Sequence, residues 1–224
     1  MYDIVFISYQ EINADKNFAR LVARFPFTRR VHGVKGIHQA HIVAAKQCFT
    51  DLIWVVDGDA VILDDFDFNF RPRDLDYVRV WRSINPINQL EYGNGGVKLL
   101  PRLMTVNMDV TKPDMTTSIS TKFEPIKIVS NITEFNTDPF NTWKSAFREC
   151  TKLSSAVIDR QKQTETDIRL DAWCSVGIDK PFGEYAIKGA IAGREYGKYN
   201  IGNIEALKRI NDFDWLYTKF KEQI

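Results

Sequence analysis

Cysteine is scarce in this 224-residue chain, with three residues, Cys48, Cys150 and Cys174, far apart and without a CxxC pair. An odd, scattered set excludes a disulfide framework and a cysteine-rich zinc site, and it points to a reducing, cytoplasmic setting. Histidine is as sparse: all three stand at positions 32, 38 and 41, and none follows. No apolar run is long enough to cross a membrane. The opening Met1-Tyr-Asp-Ile-Val-Phe-Ile-Ser8 has no basic segment leading into a signal-length apolar one, so it is expected to start directly as a strand. Neither sign of charge is in excess, with 30 basic against 29 acidic residues. That balance excludes a uniformly basic nucleic-acid coat and leaves room for a local patch, for instance Arg71, Arg73, Arg79 and Arg82. Hydrophobic residues at 44% and charged residues at 26% are ordinary globular values, and 224 residues suit one domain with a proper core, or one domain with a modest annex.

The most informative stretch is Asp51-Leu-Ile-Trp-Val-Val-Asp-Gly-Asp-Ala-Val-Ile-Leu-Asp-Asp65. Leu52 to Val56 is a continuous apolar run that reads as a strand buried on both faces. It ends in Asp57-Gly58-Asp59, a DxD motif in which Gly58 lets the backbone approach a ligand. Paired carboxylates at a strand's carboxyl end suit Mg2+ or Mn2+ bridging to phosphate, because such ions fill their remaining positions with water and phosphate oxygens. Asp-Gly-Asp is also a common turn, and turn chemistry alone accounts for the same residues. Asp64, Asp65 and Asp67 read as a solvated turn cluster.

Ile4 to Ile7 reads as a first strand, Asn13 to Phe25 as an amphipathic helix and Arg30-Val-His32 as a second strand. Gly33-Val-Lys-Gly36 then leads into a helix striped by Ile37, Ala40, His41, Ala44, Ala45 and Cys48. The β-α-β-α-β order predicts an α/β fold with a mostly parallel central sheet flanked by helices. His41, inside the stripe, reads as a core histidine. Lys35 and His38, near the helix start, are candidate diphosphate or base contacts. Tyr77 to Arg82 alternates like a half-buried strand. Glu91-Tyr-Gly-Asn-Gly-Gly-Val-Lys-Leu-Leu-Pro-Arg102 reads as a glycine loop, either a ligand-facing one or a plain hairpin turn, followed by an apolar strand. Residues 107 to 138 read as loops over the sheet's rim around one strand, Ile126 to Val129. Asp138-Pro139 predicts a capped helix with the stripe Trp143, Phe147, Cys150, Leu153, Ser154 and Val157. Glu149 lies on its shoulder, about 100° from the stripe's centre, facing either a cleft or a surface ion pair. The glycine-punctuated run from Phe182 to Gly197 offers Arg194 and Lys198 to phosphate, and Ile204 to Phe220 reads as one or two helices broken near Asn211-Asp212.

This order, a β-α-β unit, a DxD, a Gly-Gly loop, an acidic helix and a basic C-terminal loop, resembles a GT-A glycosyltransferase over roughly residues 3 to 200. In finer detail, WVVDGDA, YGNGGVKLLPR, DMTTSIS, FNTDPFNTWKSAFREC and YAIKGAIAG are similar to glycosyltransferase-like proteins encoded by large tailed phages. The resemblance implies a GT-A-like domain over residues 1–200 with a helical segment, 201–224, packed on it. It implies Asp57 and Asp59 as the metal pair, holding Mn2+ or Mg2+, with Asp57 and Gly58 also at the nucleotide. Ser8 and Tyr9 would line the base pocket, and Asn94, Gly95 and Gly96 would press on donor sugar and acceptor. Arg194 would add positive charge at the diphosphate. Glu149 stands where inverting members carry the catalytic base, although the usual Glu-Asp pair is here Arg148-Glu149-Cys150. The implied activity moves a sugar from a nucleotide-sugar, of the UDP-sugar kind, to an acceptor hydroxyl. The phage likeness makes hydroxylated or hydroxymethylated cytosine in double-stranded phage DNA the candidate acceptor and the host cytoplasm the expected location. A saccharide or protein acceptor and a DxD nucleotidyltransferase are the alternatives, as is a non-catalytic nucleic-acid or assembly protein.

Overall fold

The computed structural model describes residues 1–93, 95–157 and 162–223. The chain divides into two compact units, one of Met1–Asn85, Glu91–Thr111 and Met115–Glu134, the other of Pro86–Leu90, Lys112–Asp114 and Phe135–Ile224.

The first unit is α/β. In chain order it contains β1 (Asp3–Ser8), α1 (Ala14–Arg24), β2 (Arg29–His32), α2 (Ile37–Lys46), β3 (Leu52–Asp57) and β4 (Ala60–Ile62). It continues with β5 (Val78–Ile84), β6 (Glu91–Tyr92), β7 (Val97–Pro101), α3 (Arg102–Val106), α4 (Met115–Ile119) and β8 (Phe123–Thr133). The sheet runs β2-β1-β3-β7-β5-β8-β4, with β6 paired to β5. Period-2 alternation sorts its side chains onto two cores. Phe6, Trp54, Val56, Trp81 and Leu99 pack with Ala14 and Leu21 of α1 on one face. Val5, Ile53, Val55, Val80 and Leu100 pack with Ala44 and Ala45 of α2 and Met115 and Ile119 of α4 on the other.

The expected mostly parallel sheet is corrected to a mixed one. β1 pairs in parallel with β2 and β3, and β5 with β8, whereas β3–β7, β5–β7, β5–β6 and β4–β8 are antiparallel. Parallel neighbours need a crossover, usually a helix, and α1 and α2 supply it only as far as β3. Residues 107 to 138 are likewise more than rim loops. They hold α4 and the 11-residue β8, which lies between β5 and β4. Most of the first half of β8 is exposed or half-buried, so it carries little apolar signal.

The second unit is helical: α5 (Pro139–Ser154), α6 (Gln163–Ser175), α7 (Gly183–Tyr199), α8 (Ile204–Lys208), a 3-10 turn (Arg209–Asn211) and α9 (Phe213–Gln223). Asp138 caps α5, its Oδ1 accepting from Asn141 N at 2.8 Å, with Pro139 in the first turn. The glycine-punctuated run is not a basic loop. It is α7, and Gly189, Gly193 and Gly197 meet α5: a Cβ on Gly193 would lie 2.2 Å from the Phe147 carbonyl oxygen. Aromatic packing of Phe220 and Trp215 on Trp143 and Phe147 seats α9 on α5. The proposed basic patch loses a member, because Arg79 is 3% exposed and its Nε donates to Glu124 Oε2 at 2.6 Å.

Candidate functional site

Parallel pairing aligns Ile7 with Asp57, so the loops after β1 and β3 open at the same sheet edge. β7 runs antiparallel to β3 with Val97 beside Val56, which brings Gly95 and Gly96 to that edge from the other direction. Three of the expected segments, Ser8-Tyr9, Asp57-Gly58-Asp59 and the Gly-Gly loop, are therefore brought together by register. Such an edge is where open α/β sheets bind ligands.

Each segment is held by specific bonds. Ser8 is buried, its Oγ pairing with His32 Nδ1 at 2.9 Å and accepting from Arg30 Nε at 3.2 Å. Tyr9 N donates to Glu11 Oε2 at 2.7 Å, which folds the Glu11 carboxylate back toward the strand ends. A Cβ on Gly58 would lie 2.8 Å from Glu11 Oε2 and 3.0 Å from Ser8 Cβ, so a larger residue there would push the Glu11 carboxylate aside and press on Ser8. The Gly58 carbonyl accepts from Asn17 Nδ2 at 3.1 Å, and Asp57 N donates to Gly96 O at 2.9 Å. Gly95 has φ +95°, a conformation that side-chain-bearing residues rarely adopt. A Cβ on Gly96 would strike Asn131 Nδ2 at 2.6 Å. Asn131 is itself buried, held by Ser130 and Thr133. Asn94 lies outside the described residues.

The electrostatics are unusual for so small an edge. Burial, then the charges of Asp57 and Glu11, push the Asp59 carboxyl up to about 7, with Lys98 pulling the other way. Lys98, 2% exposed in the middle of β7, donates from Nζ to Asp57 Oδ1 at 2.7 Å and also to the Gly95 carbonyl. His41 is buried and donates from Nδ1 to Ile37 O at 2.8 Å; burial, then the Lys98 charge, lower its pKa to about 3 and keep it neutral. It is thus a core histidine.

Whether a hard divalent ion suits this edge can be tested on the donors present. Among the described residues no group of three or more His, Cys, Asp or Glu side chains is arranged to hold a metal ion. Two carboxylates are enough where phosphate and water complete the shell. The crowding that raises Asp59 is what a cation relieves, so Asp57 and Asp59, with Glu11 beside them, fit the ion in kind of donor.

Lys35 is exposed in the loop that follows β2, which parallel pairing of His32 with Ser8 brings to the same edge, and the half-buried His38, in the first turn of α2, pairs through Nε2 with Ser118 Oγ at 3.1 Å. Glu149 and Arg194 belong to the second unit, on α5 and α7. Arg194 Nη1 is 2.9 Å from Asp171 Oδ1, so its charge is already matched. Arg148 donates from Nε to Ile210 O at 2.8 Å. Sequence reasoning missed Glu11, Asn17, Lys98 and Asn131. Two carried a signal: Lys98 is the one charge in the buried run Val97-Lys-Leu-Leu100, and Asn17 falls at i+3 from Ala14 on the buried stripe of α1. Comparison of the chain with protein-family models and with curated protein sequences gives no match.

Proposed function

We propose that this chain is a metal-dependent glycosyltransferase that moves a sugar from a nucleotide-sugar of the UDP-sugar class to an acceptor hydroxyl. The observation that carries the reading is the meeting of the DGD turn, the Ser8-Tyr9 loop and the Gly95-Gly96 loop at one sheet edge. Asp57 and Asp59 would hold Mn2+ or Mg2+, which when bound supplies Lewis acidity at the leaving diphosphate. The half-buried Tyr9 would offer a surface for the base, beside the buried Ser8 that Arg30 and His32 fix. The Gly95-Gly96 loop would lie against the sugar, with Gly95 in a left-handed backbone and Gly96 packed on Asn131. In the transfer, the acceptor oxygen bonds to the anomeric carbon as the bond to the diphosphate breaks. Glu149 is proposed, from the resemblance alone, to take the acceptor's proton. The proposed acceptor is hydroxymethylated or hydroxylated cytosine in duplex DNA.

The test is mass spectrometry of hydroxymethylcytosine-containing duplex after incubation with the protein, Mn2+ and mixed UDP-sugars, beside D59N. A pentose or hexose increment absent with D59N is the expected result. Metal-dependent UDP release without an increment moves the acceptor to a saccharide or protein. No UDP release, or a uridylyl increment with release of sugar 1-phosphate, overturns the reading. E149Q with full transfer activity removes Glu149 from the mechanism.

A further inference from the structure

A lysine in the middle of a buried strand demands a reason. Desolvating an ammonium is costly unless it is paired and hydrogen-bonded, and β7 would be simpler with an aliphatic residue at position 98. Its partners supply the reason. Lys98 stands opposite Val55, so alternation puts it on the same sheet face as Asp57, two residues further along β3. There its Nζ bridges Asp57 Oδ1, at 2.7 Å, and the Gly95 carbonyl. One ammonium thus joins the carboxylate at the head of the DGD turn to the backbone of the Gly-Gly loop. Asp57 N, donating to Gly96 O at 2.9 Å, ties the same two segments a second time. Asp57 keeps 35% of its side chain exposed against 2% for Lys98, so the pair is open on the carboxylate's side only. The nearby His41 is neutral and brings no competing positive charge.

We infer that Lys98 is the resident cation of this edge, a positioning residue that a divalent ion must compete with for Asp57, so that filling the DGD turn loosens the tie to Gly95 and frees the Gly-Gly loop to move. This rests on the metal-dependent reading above and adds to it a link between cation binding and loop position. An ion that takes an Asp57 oxygen weakens the ammonium's hold there, while the backbone tie from Asp57 N to Gly96 O remains.

Direct Mn2+ binding, followed by calorimetry without any donor, tests the inference on wild type, K98M, D57N and the double variant. Removing the competing charge should tighten Mn2+ binding to K98M by about tenfold, the scale of one nearby charge at a partly exposed site. In the D57N background the gain should shrink to the weaker effect of Lys98 on Asp59, since the direct competition is for Asp57. Equal affinity in wild type and K98M, or a gain undiminished without Asp57, overturns the inference and leaves metal binding standing. No Mn2+ binding to either overturns it together with the metal-dependent reading. A measurement on the wild-type chain covers the case in which K98M fails to fold. Titration with diamagnetic Mg2+ should shift the Lys98 15Nζ resonance and the Gly95 and Gly96 amides together, and movement of the amides without Nζ contradicts the link.

Discussion

Asp59 is where the chemistry of this edge is most exposed to test. Its carboxyl has a native pKa of about 7 against an ordinary 3.8, so the folded chain holds the proton more tightly than the unfolded one. Its contribution to stability is complete below pH 3.8 and is lost as pH rises to about 7. D59N keeps the neutral form at every pH. Its stability advantage over wild type should therefore grow between mildly acidic and mildly basic pH, by on the order of 2 kcal/mol, as read from urea midpoints. A constant difference across that range would contradict the assignment. Mn2+ should raise the wild-type midpoint more in basic than in acidic solution, because a carboxylate must lose its proton to bind metal. The thiols give a second prediction. Cys48 and Cys150 are buried, with the Cys48 thiol pushed up to about 12 chiefly by burial, while Cys174 is half-buried. A thiol-reactive dye should label Cys174 first in the native protein and all three residues after unfolding.

Among the elements, α5 and α7 form the closest pair in the helical unit, and glycine is the cause. Gly189, Gly193 and Gly197 recur at intervals of four, which places them on one helix face. There a Cβ would lie 2.3, 2.2 and 2.1 Å from Trp143 O, Phe147 O and Ser154 Oγ. Two of those neighbours are backbone, which cannot rotate away. G193A should cost on the order of 2 kcal/mol in chemical unfolding, against a near-neutral I191A on the exposed side of the same helix. The sequence shows the glycines but not their partner: four-residue spacing reads equally as a punctuated loop until a second helix is placed against it. α6 was harder still, because its buried residues Thr166, Leu170 and Trp173 share the helix with the exposed Ile168, leaving no clean apolar stripe to find.

For the molecule as a whole, near-balanced charge sets the behaviour. With a formal net charge of +1 and a pI near 7.7, mutual repulsion between copies is weakest close to pH 7.7. Light scattering should show self-association greatest there and reduced well to either side, with added salt having least effect at that pH. No helix among the described residues is long and apolar enough to cross a membrane.

How much was legible follows from the range of each interaction. β1, α1, β2, α2 and β3 could be read in order because their signals are local: apolar runs, helical stripes, a glycine entry and, further on, the Asp138-Pro139 cap of α5. The DGD turn was legible because a buried strand ending abruptly in acids is a local pattern too. Strand direction beyond β3, the seating of Lys98 under Asp57 and the recruitment of Glu11, Asn17 and Asn131 to one edge were decided by the tertiary structure alone. Pairing register joins residues 41 positions apart in Lys98–Asp57, and no nearest-neighbour preference encodes such a meeting. The sequence by itself determined β1 to β3 with their helices, the capped start of α5 and where the acids stand. Only folding decided which charges face one another, because that depends on alternation across paired strands and on the desolvation that packing imposes.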